Sequence, residues 1–316
     1  MITLTQYEEK KFDEWDSFIE HSKGSTLHSY RKFLNYHKDK FQDSSLMFYH
    51  NNNLVAVLPG VLVESSFISH PGASYGGLIY KEGLKIDTLY KIHEEILNYS
   101  KENKVHKIEF RFPYSIISKH YFDSYKYILH SHSPIIYREV SQFIDLTKFK
   151  EEKSFSDNFK RILNKNYNLK TSEAKNEKDI ENFYNILCDN LLKHDTEPTH
   201  TLSELKFILK NLASQSQLFV TKDANSNIVS GSFALLLNDA TPHLFYLCTD
   251  NSYLSKSPLV KTIYDVSKYF KLKDSCYLNL GISTENRGQI LNYGLNNFKE
   301  KFNTQGTFRE TIIIDI

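Results

Sequence analysis

Leu46-Met-Phe-Tyr-His-Asn-Asn-Asn-Leu-Val-Ala-Val-Leu-Pro-Gly-Val-Leu-Val63 reads as an apolar strand (46–49), a polar turn (50–53) and a second apolar strand (54–63), the pattern of a β-hairpin. Leu218-Phe-Val-Thr-Lys-Asp-Ala-Asn-Ser-Asn-Ile-Val-Ser-Gly-Ser-Phe-Ala-Leu-Leu-Leu237 has the same plan, 172 residues later. The displacement persists outward from the hairpins. An amphipathic helix around Leu89 answers to one around Lys261, and a strand at Ile108 answers to one at Asn279, at offsets of 172 and 171. A last helix and a last strand, near Ser115 and Val140, recur near Arg287 and Thr311 at the same two offsets. Self-similarity at the length of a domain implies two copies of one mixed α/β unit rather than a solenoid. The expected domains are 1–150 and 151–316, each a mixed, mostly antiparallel sheet flanked by helices.

A chain of 316 residues exceeds what one core usually serves, which independently favours two domains. Its 22 Phe and 21 Tyr argue against a disordered or fibrous class. Charge is balanced in both halves: 19 Lys and Arg face 18 Asp and Glu over 1–150, and 20 face 20 in the remainder. Neither half is a basic module, so binding to DNA by broad phosphate neutralisation is not expected. Cys188, Cys248 and Cys276 include no Cys-x-x-Cys pair and read as reduced core thiols, with no metal site. The start, Met1-Ile-Thr-Leu-Thr-Gln-Tyr-Glu-Glu-Lys-Lys11, has no apolar signal region. No later run approaches the ~20 apolar residues that cross a bilayer, and a cytoplasmic location is expected.

Helical spacing marks further segments at 12–21, 29–41, 86–103, 116–129, 155–166, 179–193 and 202–213. Thr201 and Glu204 form a Thr-x-x-Glu capping box at the start of the last of these. Ser257-Pro258 places an N-cap residue before a proline at the first helical position, ahead of apolar Val260, Ile263, Val266 and Phe270.

The element order of each half resembles that of the Gcn5-related N-acetyltransferases (GNATs), and two such units in tandem resemble the FemABX-like and BioF2-like acyltransferases. Leu278-Asn-Leu-Gly-Ile-Ser-Thr-Glu-Asn-Arg287 reads as a strand and turn. Gly294-Leu-Asn-Asn-Phe-Lys299 with Phe302 is similar to the family helix Gly-Leu-x-x-Phe-Lys-x-x-Phe. The resemblance implies that Lys299 is a cation close to the reacting carbonyl, able to stabilise its oxyanion. A solvated helix lysine is the alternative, because Glu300 and Lys301 adjoin it. Phe298 either touches substrate or fills core.

Three other segments carry polar groups that fit such a site. Lys193-His-Asp-Thr-Glu-Pro-Thr-His-Thr-Leu-Ser-Glu204 joins two helices; the resemblance lays this connection over the substrate cleft, where His194 or His200 would serve as base and Thr199 would contact substrate. The competing account makes it a capped turn with wet histidines. Ser69-His-Pro-Gly-Ala-Ser-Tyr-Gly-Gly-Leu78 offers His70, Tyr75, Gly76 and Gly77 as acceptor contacts, or is a plain glycine turn. The turn 283–288, read as the start of the last helix, offers Glu285 and Arg287 as a phosphate or carboxylate seat.

Coenzyme A users of the superfamily hold the pyrophosphate on a glycine-rich turn after the fourth strand. The corresponding turn, Asp250-Asn-Ser-Tyr-Leu-Ser-Lys-Ser257, has no glycine. The chain also lacks the long helical arm of the larger peptidoglycan-bridge enzymes. The resemblance therefore implies an acyl- or aminoacyltransferase that forms an amide on an amino group of a cell-envelope precursor. Its acceptor would be a small molecule or a lipid- or nucleotide-linked sugar, and its donor acyl-CoA or aminoacyl-tRNA, with no tightly bound cofactor. The alternatives are an acetyl-CoA-dependent N-acetyltransferase and a non-catalytic tandem binding module.

Overall fold

The computed structural model describes residues 1–37, 40–118, 120–165, 168–193 and 195–316. In chain order the first half contributes β1 (Ile2–Gln6), α1 (Phe12–Glu20), α2 (Arg31–Leu34), β2 (Leu46–His50), β3 (Asn53–Leu58), β4 (Val61–Val63), β5 (Ser66–Ile68), β6 (Ile79–Tyr80), α3 (Ile86–Glu102), β7 (Lys107–Arg111), α4 (Ser115–Ser118), α5 (Asp123–His130) and β8 (Ile135–Asp145). The second half contributes α6 (Asp157–Asn164), β9 (Lys170–Glu173), α7 (Glu177–Leu192), α8 (Leu202–Asn211), β10 (Ser216–Lys222), β11 (Ile228–Asn238), β12 (Thr241–Thr249), α9 (Pro258–Lys271), β13 (Tyr277–Ile282), β14 (Thr284–Glu285), β15 (Ile290–Leu291), α10 (Tyr293–Glu300) and β16 (Gln305–Asp315).

These elements form two compact units, and neither is a single stretch of chain. One comprises Met1–Val140 with Thr284–Ile290 and Thr307–Ile316; the other comprises Ser141–Ser283 with Leu291–Gly306. In the first unit β1, β2 and β3 pair antiparallel, with Leu46 opposite Leu58 across the hairpin. β5 runs parallel to β7, and β16 pairs antiparallel with β7, Thr311 opposite Arg111. Leu58-Pro59-Gly60 ends the hairpin sheet before β4. A Cβ on Gly60 would lie 2.0 Å from the Phe67 ring, so only glycine lets the strand bend onto β5 here. The core joins Leu46, Phe48 and Leu58 to Leu89, Ile92 and Ile96 of α3 and to Ile312 and Ile314 of β16.

The second unit repeats the plan. β9, β10 and β11 are antiparallel, β12 extends them, and β13 runs parallel to β12. The closing strand is the end of β8, with Asp145 opposite Tyr277 of β13. Val260, Ile263, Val266 and Phe270 of α9 are buried at helical spacing against the sheet. Thus β16, last in the second copy by sequence, closes the first unit, and the end of β8 closes the second.

The hairpin at 218–237 lies where its apolar pattern puts it, whereas the strand expected over 54–63 is broken into β3 and β4, which join different sheets. The Thr201–Glu204 capping box is formed, with Thr201 N donating to Glu204 Oε2 at 2.8 Å. Ser257 departs from expectation. It adopts a left-handed conformation and makes no side-chain cap, so proline alone starts α9. The segment 29–41 holds α2 between 3-10 turns at Leu27–Ser29 and Asn35–His37 rather than one long helix. No helix among the described residues is long and apolar enough to cross a membrane.

Candidate functional site

The second unit places Lys299 near the end of α10, a helix started by Asn292, whose side chain accepts from Leu295 N at 3.0 Å. Lys299 is 2% exposed, which rules out the solvated alternative. Its Nζ donates to the carbonyls of Gly281 at 2.8 Å and Ile282 at 2.6 Å, the last two residues of β13. Burial lowers its pKa to about 7, because taking an ammonium out of water disfavours the charged form. An ammonium has three N–H groups and two are committed here, which leaves one donor for a developing negative charge. Phe298 points into the core, edge-on to Phe159 and Phe302.

Sequence reasoning missed the groups beside this lysine. β12 and β13 pair at His243 opposite Asn279, and the Asn279 Oδ1 collects Gly281 N at 2.7 Å, Ser141 Oγ at 3.1 Å and His243 Nδ1 at 3.0 Å. A backbone N–H only donates, so the Asn279 atom facing it is oxygen, and His243 Nδ1 must carry the proton in its bond to that oxygen. With Nδ1 as the donor, Nε2 is the acceptor nitrogen of the neutral tautomer. A Cβ on Gly281, whose φ is +80°, would stand 3.5 Å from the His243 ring, so imidazole and lysine flank the same residue. Asn279 Nδ2 is buried without a hydrogen-bond partner among the described residues. His243 sits inside an apolar strand with no local motif, and only the pairing with Asn279 reveals it.

The expected bases fare differently. His194 lies outside the described residues. His200 is buried and anchors its loop: its Nδ1 is 2.9 Å from the Tyr246 hydroxyl, which also accepts from His200 N at 3.1 Å, and Tyr184 donates to its carbonyl at 3.1 Å. Thr199 beside it is exposed. The turn after β12 is a 3-10 helix, Asn251–Lys256, capped by Asp250, whose carboxylate takes Ser252 N at 2.8 Å. A carboxylate therefore already accepts from a backbone amide at the start of this turn.

In the first unit the 70s loop is pinned to β7. Ser69 N donates to Glu109 O at 2.9 Å, Gly76 N to Arg111 O at 2.7 Å, and Arg111 N to Ser69 Oγ at 2.9 Å. Gly77 has φ +96°, and a Cβ on Gly76 would press on Ser69 at 2.8 Å. His70 and Tyr75 are buried, with Tyr75 packed between His28 and Tyr114, so both hold the loop from inside. Burial pushes the Tyr75 hydroxyl pKa well up. The loop's Ser74 and the turn's Arg287 border one cavity of about 190 Å³, together with Glu109, Arg111, Tyr137 and Arg309.

The turn carrying Arg287 does not start a helix, contrary to its reading from sequence. β14 and β15 form a small hairpin across it, and α10 begins only after Asn292. Asn286, Arg287 and Gly288 all have positive φ, at 47°, 55° and 89°, which tightens the turn into a hairpin loop. Exposed Glu285 lies on β14.

No family model matches the chain, and no curated protein matches it by sequence. Among solved structures, FemX aligns with a TM-score of 0.68 at 11% identity, over 98% of this chain and 96% of that one. L-PGS from Bacillus licheniformis aligns at 0.60 and 13% identity, over 97% and 92%. A tandem GNAT protein from the clavulanic acid biosynthesis pathway aligns at 0.55 and 7% identity, over 100% and 98%. The fold is thus the FemABX-like, tandem-GNAT fold implied by residues 278–302 and by the repeat.

Proposed function

We propose that the chain is an acyltransferase, specifically an aminoacyltransferase, that forms an amide on an amino group of a cell-envelope precursor. The observation that carries this reading is the buried Lys299 ammonium, held by the Gly281 and Ile282 carbonyls with one N–H uncommitted. In this reading the acceptor nitrogen attacks an activated acyl carbonyl, and the oxyanion develops against Lys299. The C–N bond forms as the C–O bond to the donor breaks. His243 Nε2 takes the proton the amine loses, and that proton passes to the departing oxygen. Imidazole and ammonium both lie beside Gly281, and in this reading the two act on one bound acceptor.

The name of one structural relative supports the aminoacyl form: the lysylphosphatidylglycerol synthetase whose C-terminal domain aligns at a TM-score of 0.61. The Asp250 carboxylate on the turn after β12 favours an aminoacyl ester over coenzyme A. The test uses the intact chain with tRNA charged with labelled amino acids, or with labelled acetyl-CoA, and a bacterial envelope-precursor extract as acceptor. Label should pass from the tRNA ester into alkali-stable amide, and Lys299→Met should lower that transfer at least ~100-fold. Transfer from acetyl-CoA alone, with micromolar coenzyme A affinity by calorimetry, would overturn the donor assignment.

A further inference from the structure

In the first unit, β7, β16 and β8 are neighbours in that order, and alternate residues of a strand share one face of the sheet. Ile108 and Phe110 of β7 and Ile312 and Ile314 of β16 turn to the apolar core. The opposite face of β7 carries Glu109 and Arg111; β16 sets Arg309 and Thr311 beside them, with Thr311 opposite Arg111. Tyr137 and Glu139 of β8 complete the face. It is charged, and it borders an open space of about 190 Å³. That exceeds the ~150 Å³ of a cavity that accepts benzene, and it suits a fragment of amino-acid size.

Glu109 Oε1 receives Arg111 Nε at 2.6 Å, and Glu139 Oε2 receives Arg309 Nε at 2.8 Å. Arg287 leans over the Tyr137 ring at 4.9 Å and stands 3.8 Å from Glu109, too far for a hydrogen bond. Two carboxylates thus fix two guanidinium groups, and Arg287 beside them leaves one positive charge over among the residues that line the cavity. Among the described residues, the terminal nitrogens of Arg111 make no hydrogen bond, so forked donors remain for a guest.

We propose that this face is a binding site for a monoanionic oxo group, a carboxylate or a phosphodiester, borne by a small fragment that Arg287 and Arg111 grip. A monoanion cancels the surplus charge, whereas a dianion would leave a negative excess beside Glu109 and Glu139. Planar guanidinium forks match either oxo group in a bidentate manner. The site stands whether or not the chain transfers an acyl group, because its test reads binding alone.

The experiment titrates the intact chain, labelled with nitrogen-15 arginine, and follows the arginine Nε–Hε signals. The probes are N-acetylglycine, dimethyl phosphate, methyl phosphate as the dianion and N-acetylglycinamide as the neutral control. One monoanion should shift these signals saturably and bind at least about tenfold tighter than the neutral amide; which one does so identifies the source of the oxo group. Arg287→Ala, on an exposed turn, should weaken it about tenfold or more, and Arg287→Lys should restore part of the loss. Glu109→Gln raises the surplus to two charges and should turn the preference toward methyl phosphate. Equal binding of the neutral amide, no shift with either monoanion, or a wild-type titration in Arg287→Ala would overturn the proposal.

Discussion

Lys299 is charged at neutral pH only in part, because its folded pKa of about 7 lies well below the lysine value of 10.5. Between those values the unfolded chain binds a proton that the folded chain does not, so this residue makes stability rise with pH across that window and leaves it flat below. Lys299→Met keeps the length of the side chain and removes the titration. The difference in unfolding free energy, wild type minus variant, should therefore climb from pH 7 to 10 by up to ~1.4 kcal/mol per pH unit. Denaturant unfolding at four pH values measures it, and a flat difference would return Lys299 to an ordinary lysine. Turnover that needs the ammonium should fall above about pH 7, and Lys299→Arg should shift that alkaline limb upward. The sequence showed the Phe298-Lys299 motif, yet neighbouring Glu300 and Lys301 argued for a wet lysine. Burial is set by carbonyls 17 and 18 residues away in the chain, which no local pattern encodes.

At the scale of elements, turn chemistry was legible where it depends on nearest neighbours. The Thr201–Glu204 box is such a case, since its hydrogen bonds span three residues. The charged face in the first unit was not legible, although each strand shows it as Glu109-x-Arg111, Tyr137-x-Glu139 and Arg309-x-Thr311. Its meaning depends on which strands are neighbours, and two of them lie some two hundred residues apart in the chain. The hairpin β14–β15 carries Arg287 to that face, and Gly288 makes the approach feasible. A Cβ there would stand 1.8 Å from the Arg138 carbonyl oxygen, at a φ of +89°. Gly288→Ala should cost at least about 1–3 kcal/mol and displace Arg287. Its melting temperature and its arginine Nε–Hε spectrum should both change. An unaltered spectrum would mean that the hairpin does not position Arg287.

At the scale of the whole molecule, the repeat visible at offsets of 171 and 172 foretold matching element orders. It did not reveal which copy each closing strand serves, because an apolar strand carries no label for its partner. Residues 307–316 belong to the first compact unit, whereas the second uses nothing beyond Gly306. Ending the chain at Gly306 should therefore strip β7 of its antiparallel neighbour and expose Ile108 and Phe110. Hydrogen exchange should then rise sharply in β7 and α3 while β10, β11 and α9 stay protected; the reverse pattern would reject the assignment. β16 also inverts the usual relation between synthesis and folding, in which N-terminal domains fold first as the chain emerges. On the ribosome, residues 1–140 wait with an open sheet until β16 has cleared the exit tunnel, by which time every residue of the second unit has been made. The nascent first half is then the aggregation-exposed species, and a chaperone that shields strand edges would act on it throughout translation.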